Sequence, residues 1–329
     1  MAVKITIIGL NRVGASIGLA LGKIKDQATR IGNDRDQAVA RQAERLGAVD
    51  KTQVNLPTAV SDADVVFLAV PIDEVRSTME VIAPDLKPGC LLIDTSPVKG
   101  AVMQWVQEIF TDDERYFVSL TPTLNPSYLM DTGSGPESAH ADMFQNSLML
   151  VTSQPGIDES AVTLATNLVQ VLGATPLFTD TFEADGLMSY SYLLPELVAS
   201  ALVNATTEQP GWREARKVAG HTYALATEPV EHHVEGEAFG QAAILNRENT
   251  VRVLDNVLSE LSQMREEIAS GDAAALQERL VRAQKSRGVW LQQRRTSDWE
   301  PKQQQHVPTG GEVIGRLFGV RPKKDRDSR

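Results

Sequence analysis

Short apolar runs alternate with amphipathic stretches through the first half of the chain. Ile5 to Ile8, Ala28 to Asn33, Asp64 to Val70, Cys90 to Asp94, Tyr116 to Leu120, Ser147 to Thr152 and Thr175 to Phe178 read as strands. Arg35 to Leu46, Asp73 to Ile82, Val98 to Phe110 and Glu159 to Leu172 carry helical spacing between them. That rhythm predicts a doubly wound, mostly parallel sheet with helices on both faces. From Phe182 the spacing is helical throughout: Leu187 to Ala205, Arg213 to Leu225, Phe239 to Ile268 and Ala273 to Arg287, with a break at Gly271-Asp272. The fold class is therefore α/β followed by all-α. The expected divisions are 1–181 for the sheet domain, 182–293 for a helical substrate and dimerisation domain, and 294–329 for a polar tail. Within the tail, Val313-Ile314 and Leu317-Phe318 are spaced as one apolar stripe.

The first strand runs into Gly9-Leu10-Asn11-Arg12-Val13-Gly14, with small residues following at Ala15, Ser16 and Gly18. Strand, glycine turn and helix start make the mould of a Rossmann-type dinucleotide cradle, in which amide hydrogens and the helix dipole face the diphosphate. The usual G-x-G-x-x-G has Asn11 at its middle glycine. Asn adds a side chain there, though it tolerates left-handed backbone angles. The second strand ends at Asp34, about 25 residues on, close to the usual distance for the acid that holds the adenosine ribose hydroxyls. Asp34 favours NAD, whereas Arg35 beside it could receive the 2′-phosphate of NADP. The alternative is that Gly9 and Gly14 serve only close helix–sheet packing. In such sheets ligands gather beyond the carboxyl ends of the strands. Gly9–Gly14, Asp34, Val70-Pro71, Asp94–Lys99 and Leu120–Asn125 should therefore ring one crevice.

Composition narrows the partners. The 329 residues are 42% hydrophobic and 23% charged, with a net charge of −11, which argues against a non-specific nucleic-acid or anionic-membrane binder. Cys90 is the single cysteine, so no intramolecular disulfide or Cys-rich metal site is expected. No signal peptide precedes Val3 and no apolar run reaches the ~18–20 residues of a membrane span, so the cytoplasm is the expected compartment. The five histidines are His140, His221, His232, His233 and His306. His221 follows Lys217 by one helical turn, and on a continuous helix the two would share a face. His232-His233 with Glu231 and Glu235 reads as a solvated turn rather than a metal cluster.

In order and spacing the chain resembles the prephenate and arogenate dehydrogenases. The resemblance rests on Ile5–Gly14, Ala63–Pro71 (ADVVFLAVP), Leu86–Lys99 (LKPGCLLIDTSPVK), Ser134-Gly135 through Phe144, Leu148–Thr152, Leu172–Asp185, Ala201–Asn204 and Asn246–Asn249. It implies that NAD(P) takes a hydride from a cyclohexadienyl dianion, whose ring aromatises with loss of CO₂. It also implies a homodimer through the helical domain. In that family a histidine takes the hydroxyl proton, a serine orients it, and an arginine of the helical domain holds the substrate carboxylate. Here the histidine position falls on Thr121, before Pro122. The serine position falls on Pro97, with Asp94 and Lys99 kept, and the arginine position on Lys217, with Arg213 and Arg216 nearby. A second family histidine falls on Tyr192, between Ser191 and Leu193. Thr121, Lys99, Tyr192, Lys217 and, as a replacement base, His221 are the candidate catalytic positions. Three functions follow: the family reaction with an altered site, a dehydrogenase for another small acid, or a non-catalytic relative that binds a nucleotide weakly.

Overall fold

The computed structural model describes residues 3–111, 114–154, 156–232 and 236–299. The apolar stripe of the tail, His306 and His233 lie outside them. Contacts divide the chain into Met1–Ser286 and Arg287–Arg329.

The first unit is built on one eight-stranded sheet of order β3-β2-β1-β4-β5-β6-β7-β8. The strands are β1 (Val3–Ile8), β2 (Ala28–Asn33), β3 (Lys51–Thr52), β4 (Val65–Leu68), β5 (Leu91–Asp94), β6 (Tyr116–Pro122), β7 (Leu148–Ser153) and β8 (Thr175–Phe178). All neighbours are parallel except β6 and β7. The reversal puts the segment 123–147, a long loop with two short 3₁₀ turns, at the carboxyl end of β6. Sequence spacing missed β3, whose two residues carry no periodic signal.

Side chains alternate between two cores. Ile5, Ile7, Phe67, Ile93 and Val118 pack with α1 (Arg12–Leu21), α2 (Gln37–Arg45) and, through β7, α6 (Glu159–Leu172). Ile8, Val66, Leu68 and Leu92 pack beneath α3 (Leu56–Val60), α4 (Ile72–Ile82) and α5 (Gly100–Ile109). A strand covered on both faces needs apolar residues in succession, as in Val65–Leu68. Two glycines bring α1 onto the sheet. Gly9 has φ +84°, and a Cβ there would lie 2.5 Å from the Ala69 carbonyl oxygen; a Cβ on Gly14 would lie 1.9 Å from that of Gly9.

The helical half starts with α7 (Thr181–Met188), a π turn at Ser189–Leu193, and α8 (Leu194–Thr207). Pro195 has no N–H to give to the carbonyl of Ser191, and the π register bridges the gap through Leu194 N–H to Ser189. The run Thr181–Thr207 is long and apolar enough to cross a membrane by length and composition, contrary to the expectation that no apolar run reaches that length. It nevertheless carries Asp185, whose carboxylate accepts the backbone N–H of Lys99 and Gly100 at 2.6 and 3.0 Å. That ties the helix to the sheet.

Two helices expected to be continuous are broken. Arg213 to Leu225 divides into α9 (Trp212–Ala215) and α10 (His221–Thr227), with extended Gly220 between them. Phe239 to Ile268 divides into α11 (Gly236–Leu245) and α12 (Arg247–Ser270) at Asn246, whose side chain turns to the carbonyl of Asp185 at 2.8 Å. Gly271, in the left-handed region, closes α12 before α13 (Ala273–Thr296). Arg279 clamps these two helices through Glu267 and Glu260 at 2.6 and 2.5 Å. The second unit begins inside α13; within it Arg294 lies over Trp299.

Candidate active site

A cleft of about 790 Å³ opens beyond the carboxyl ends of β1, β2 and β4. The loops after β1 (Gly9–Val13), β2 (Asp34–Gln37) and β4 (Ala69–Pro71) line it, joined by Ser134–Pro136 and, from the helical half, Tyr192, Glu196 and Phe239. The cofactor-binding candidates Gly9, Asn11, Arg12, Val13, Asp34, Arg35, Val70 and Pro71 all meet there. Gly14 lies behind them, in the packing role its missing Cβ requires.

Asp34 lies at the end of β2, in the wall of the cleft. Its two oxygens accept the N–H of Leu10 and of Asp36 at 2.7 and 2.8 Å, and a carboxylate with about four acceptor positions still has two to offer. Val39, Val54 and Leu56 supply apolar wall beside it. Arg35 is exposed and paired with Glu74. The guanidinium that could receive a 2′-phosphate thus already has a carboxylate.

The helix start differs from expectation. Asn11 has φ −63° and ψ −172°, extended rather than left-handed, so no glycine conformation is needed. It acts as the N-cap of α1. Its Oδ1 accepts the N–H of Val13 and Gly14 at 3.0 and 3.1 Å, and its Nδ2 donates to the Ala69 carbonyl at 2.9 Å. The N–H of Arg12 donates to the Ser134 carbonyl at 2.8 Å. Arg12 also holds that loop with its side chain, donating to the carbonyls of Asp131 and Gly133 at 2.7 and 3.1 Å and pairing with the Asp131 carboxylate at 3.2 Å. An Asn directly before a helix is a capping signal. That signal was in the sequence, behind the glycine pattern.

Beyond β5 and β6 the expected ring is not formed. Asp94, Lys99 and Thr121 are 0%, 1% and 3% exposed, and none lines the cleft. Asp94 Oδ2 accepts from Lys99 Nζ at 3.0 Å, Ser96 Oγ at 3.0 Å and Ser119 Oγ at 2.7 Å. Burial pulls the Lys99 ammonium below its ordinary value, against the opposing pull of Asp94. Burial likewise raises the Asp185 carboxyl, against the amides of Lys99 and Gly100. Lys99 and Asp94 are buried against each other, outside the lining of this cleft. Ser96 and Ser119, which the sequence reading did not single out, complete the cluster. The Thr121 hydroxyl is buried without a hydrogen-bond partner.

Tyr192, on the π turn, packs edge-on to Phe239 at 5.7 Å and borders the cleft. Lys217 and His221 are exposed, outside the cleft lining, and on different segments because the helix breaks at Gly220. Lys217 pairs with Glu214 at 2.5 Å. Among the described residues no histidine lines the cleft. His140 stacks on Tyr128 at 4.2 Å and approaches Asp131 at 3.6 Å. Among the described residues no group of three or more His, Cys, Asp or Glu could hold a metal ion.

The chain is 25% identical over 277 residues to a prephenate dehydrogenase of Lactococcus lactis, covering 83% of this chain and 73% of that one. It is 23% identical over 287 residues to a cyclohexadienyl dehydrogenase of Zymomonas mobilis, covering 86% and 94%. The fold is shared with the solved prephenate dehydrogenase of Aquifex aeolicus, described in complex with hydroxyphenyl propionate and NAD⁺ (TM-score 0.75, 18% identity, 87% of this chain and 98% of that one). It is shared also with Synechocystis arogenate dehydrogenase (TM-score 0.68, 20% identity, 87% and 99%). Residues 17–177 match the family model "Prephenate dehydrogenase, nucleotide-binding domain", and residues 181–282 match "Prephenate dehydrogenase, dimerization domain". The chain belongs to the prephenate dehydrogenase family, with a nucleotide-binding domain on the eight-stranded sheet and a dimerization domain in the helices that follow.

Proposed function

We propose that the chain is a nucleotide-binding member of this family that does not carry out the family's oxidative decarboxylation of prephenate or arogenate. NAD(P) is the nucleotide of the family fold, and the nucleotide-binding domain match supports it for this chain. The ribose acid Asp34 and the apolar wall suit an adenosine half. At the diphosphate end the amides of Val13 and Gly14 bond to the Asn11 side chain and that of Arg12 to the Ser134 carbonyl, contacts that a bound diphosphate would exchange for its own oxygens.

The observation that carries the reading is Thr121. Oxidation of a carbinol needs a group to accept the hydroxyl proton. The position that the resemblance assigns to that base holds a threonine, 3% exposed and outside the cleft lining, and a threonine hydroxyl is no base near neutral pH. Pro97 removes the orienting hydroxyl as well. Lys217, at the position of the family's substrate arginine, lacks the bidentate fork, is exposed and pairs with Glu214.

A second reading, a dehydrogenase for a different small acid, draws on Tyr192 and Glu196, which bring a phenol and a carboxylate to the helical end of the cleft. Homodimer formation is supported by exposed apolar side chains on α12 and α13: Val251, Leu258, Leu261, Ile268 and Leu280. The test is absorbance at 340 nm with NAD⁺ or NADP⁺ and prephenate or arogenate, run with wild type and with Asn11→Gly so that weak dinucleotide binding cannot hide turnover. No reduction in either supports the proposal. Reduction of cofactor with either substrate overturns it.

A further inference from the structure

Among the described residues three buried side-chain polar atoms have no hydrogen-bond partner: the Thr121 hydroxyl, and Nε and Nη2 of Arg12. Arg12 is the first residue of α1 and lines the cleft at the glycine turn. Its side chain is 11% exposed, and the two nitrogens themselves are sealed from solvent.

The guanidinium is used on one side only. Nη1 donates to the carbonyls of Asp131 and Gly133 at 2.7 and 3.1 Å. A turn sets those carbonyls, in which the Asp131 carboxylate accepts the Gly133 N–H at 3.2 Å. Asp131 Oδ2 lies 3.2 Å from Nη2, close enough for charge pairing, but the contact is not aligned as a hydrogen bond. The edge left over, Nε beside Nη2, is a fork that takes two oxygens of a phosphate at once.

A buried donor without a partner costs free energy until one arrives, whereas trading one hydrogen bond for another gains little. The amides at the start of α1 are of the second kind, since Val13 and Gly14 bond Asn11 and Arg12 N–H bonds Ser134. A diphosphate at this turn exchanges those contacts for its own. At the Arg12 fork it satisfies donors that nothing else satisfies.

We propose that Arg12 is the cation that holds the cofactor's diphosphate in this chain. As the Ser134 carbonyl gives up the Arg12 amide, the Nε–Nη2 edge takes the diphosphate while Nη1 keeps the Asp131–Gly133 turn. This rests on reading the cleft as the NAD(P) site.

The test is fluorescence titration of the full chain with NADH for wild type, Arg12→Gln and Asp131→Asn, with thermal melts to confirm folding. Arg12→Gln should bind more weakly by about tenfold or more. Asp131→Asn removes the competing charge, keeps an acceptor for Gly133, and should bind within about twofold of wild type or tighter. A smaller loss in Arg12→Gln overturns the proposal. So does a larger loss in Asp131→Asn, which would trace the effect to the loop. The Arg12 Nε–H signal in the ¹⁵N NMR spectrum of wild type gives a readout independent of either variant's fold. ADP-ribose should shift it, and a signal that stays in place overturns the proposal. If wild type does not bind NADH, the NAD(P) reading of the cleft fails and the proposal with it.

Discussion

Replacing Lys99 by Met removes the cation from a pocket where both charges are fully enclosed, Lys99 and Asp94 side chains each having 0% exposure. The Asp94 carboxylate keeps two serine hydroxyls and the Ser96 amide but loses its counter-charge. Removing one partner of a buried pair costs ~3–5 kcal/mol, a large share of a typical ~5–15 kcal/mol. Each kcal/mol shifts the melting temperature by ~2–4 °C in a domain of this size, so Lys99→Met should melt ~6–20 °C lower. Urea denaturation followed by far-UV circular dichroism measures the loss in Lys99→Met, Asp94→Asn and the double variant. Because the two groups share one interaction, the double variant should be less destabilised than the sum of the single ones by more than ~1 kcal/mol. Adenosine affinity of folded Lys99→Met should stay within twofold, since Lys99 does not line the cleft. A loss under ~1 kcal/mol, or strict additivity, would refute the reading of Lys99 and Asp94 as a buried pair.

Thr121→Val replaces an unpartnered buried hydroxyl by a methyl of the same shape, so urea midpoints should hold or rise by up to ~1 kcal/mol. Gly14→Ala drives a Cβ to 1.9 Å from a backbone oxygen and should cost at least ~1–3 kcal/mol by thermal melt. Asp185 has a folded-state pKa raised above its unfolded value. Its contribution to stability is therefore full below the unfolded value, ~3.9, and is lost as pH rises through the folded one. The stability of wild type relative to Asp185→Asn, measured by urea titrations, should fall as pH increases from 4. Glu74→Gln frees Arg35 and should strengthen binding of adenosine 2′-phosphate relative to adenosine by calorimetry.

Most of the sheet was legible because two-faced burial forces unbroken apolar runs, as in β4 and β5, and glycine or proline punctuates their ends. The strand β7 was legible but its antiparallel direction was not, since direction follows from the length and packing of the 123–147 loop and leaves no periodic mark. The helix breaks at Gly220 and Asn246 come from one glycine and one tertiary hydrogen bond, which helical spacing passes over. Asp34 and Val70-Pro71 line one cleft, as expected, because strand ends converge by topology. That Lys99 folds back onto Asp94 was not legible, because a sequence does not say whether a polar residue after a strand points to solvent or onto its own carboxylate. Asn11 was visible as a departure from glycine. Its cap was missed because the glycine pattern and the N-cap rule compete for the same six residues.

Whether the carboxyl end of β6 belongs to the core or to a working site can be read from one thiol. Cys90 is buried, with its pKa pushed up to about 12, so a Thr121→Cys variant carries one silent cysteine and one reporter. Titration of the folded variant with Ellman's reagent should show no prompt thiol, and two after denaturation. A thiol that reacts within seconds in the native protein, and is shielded by NADH, would show that the cleft reaches Thr121 and would contradict the account.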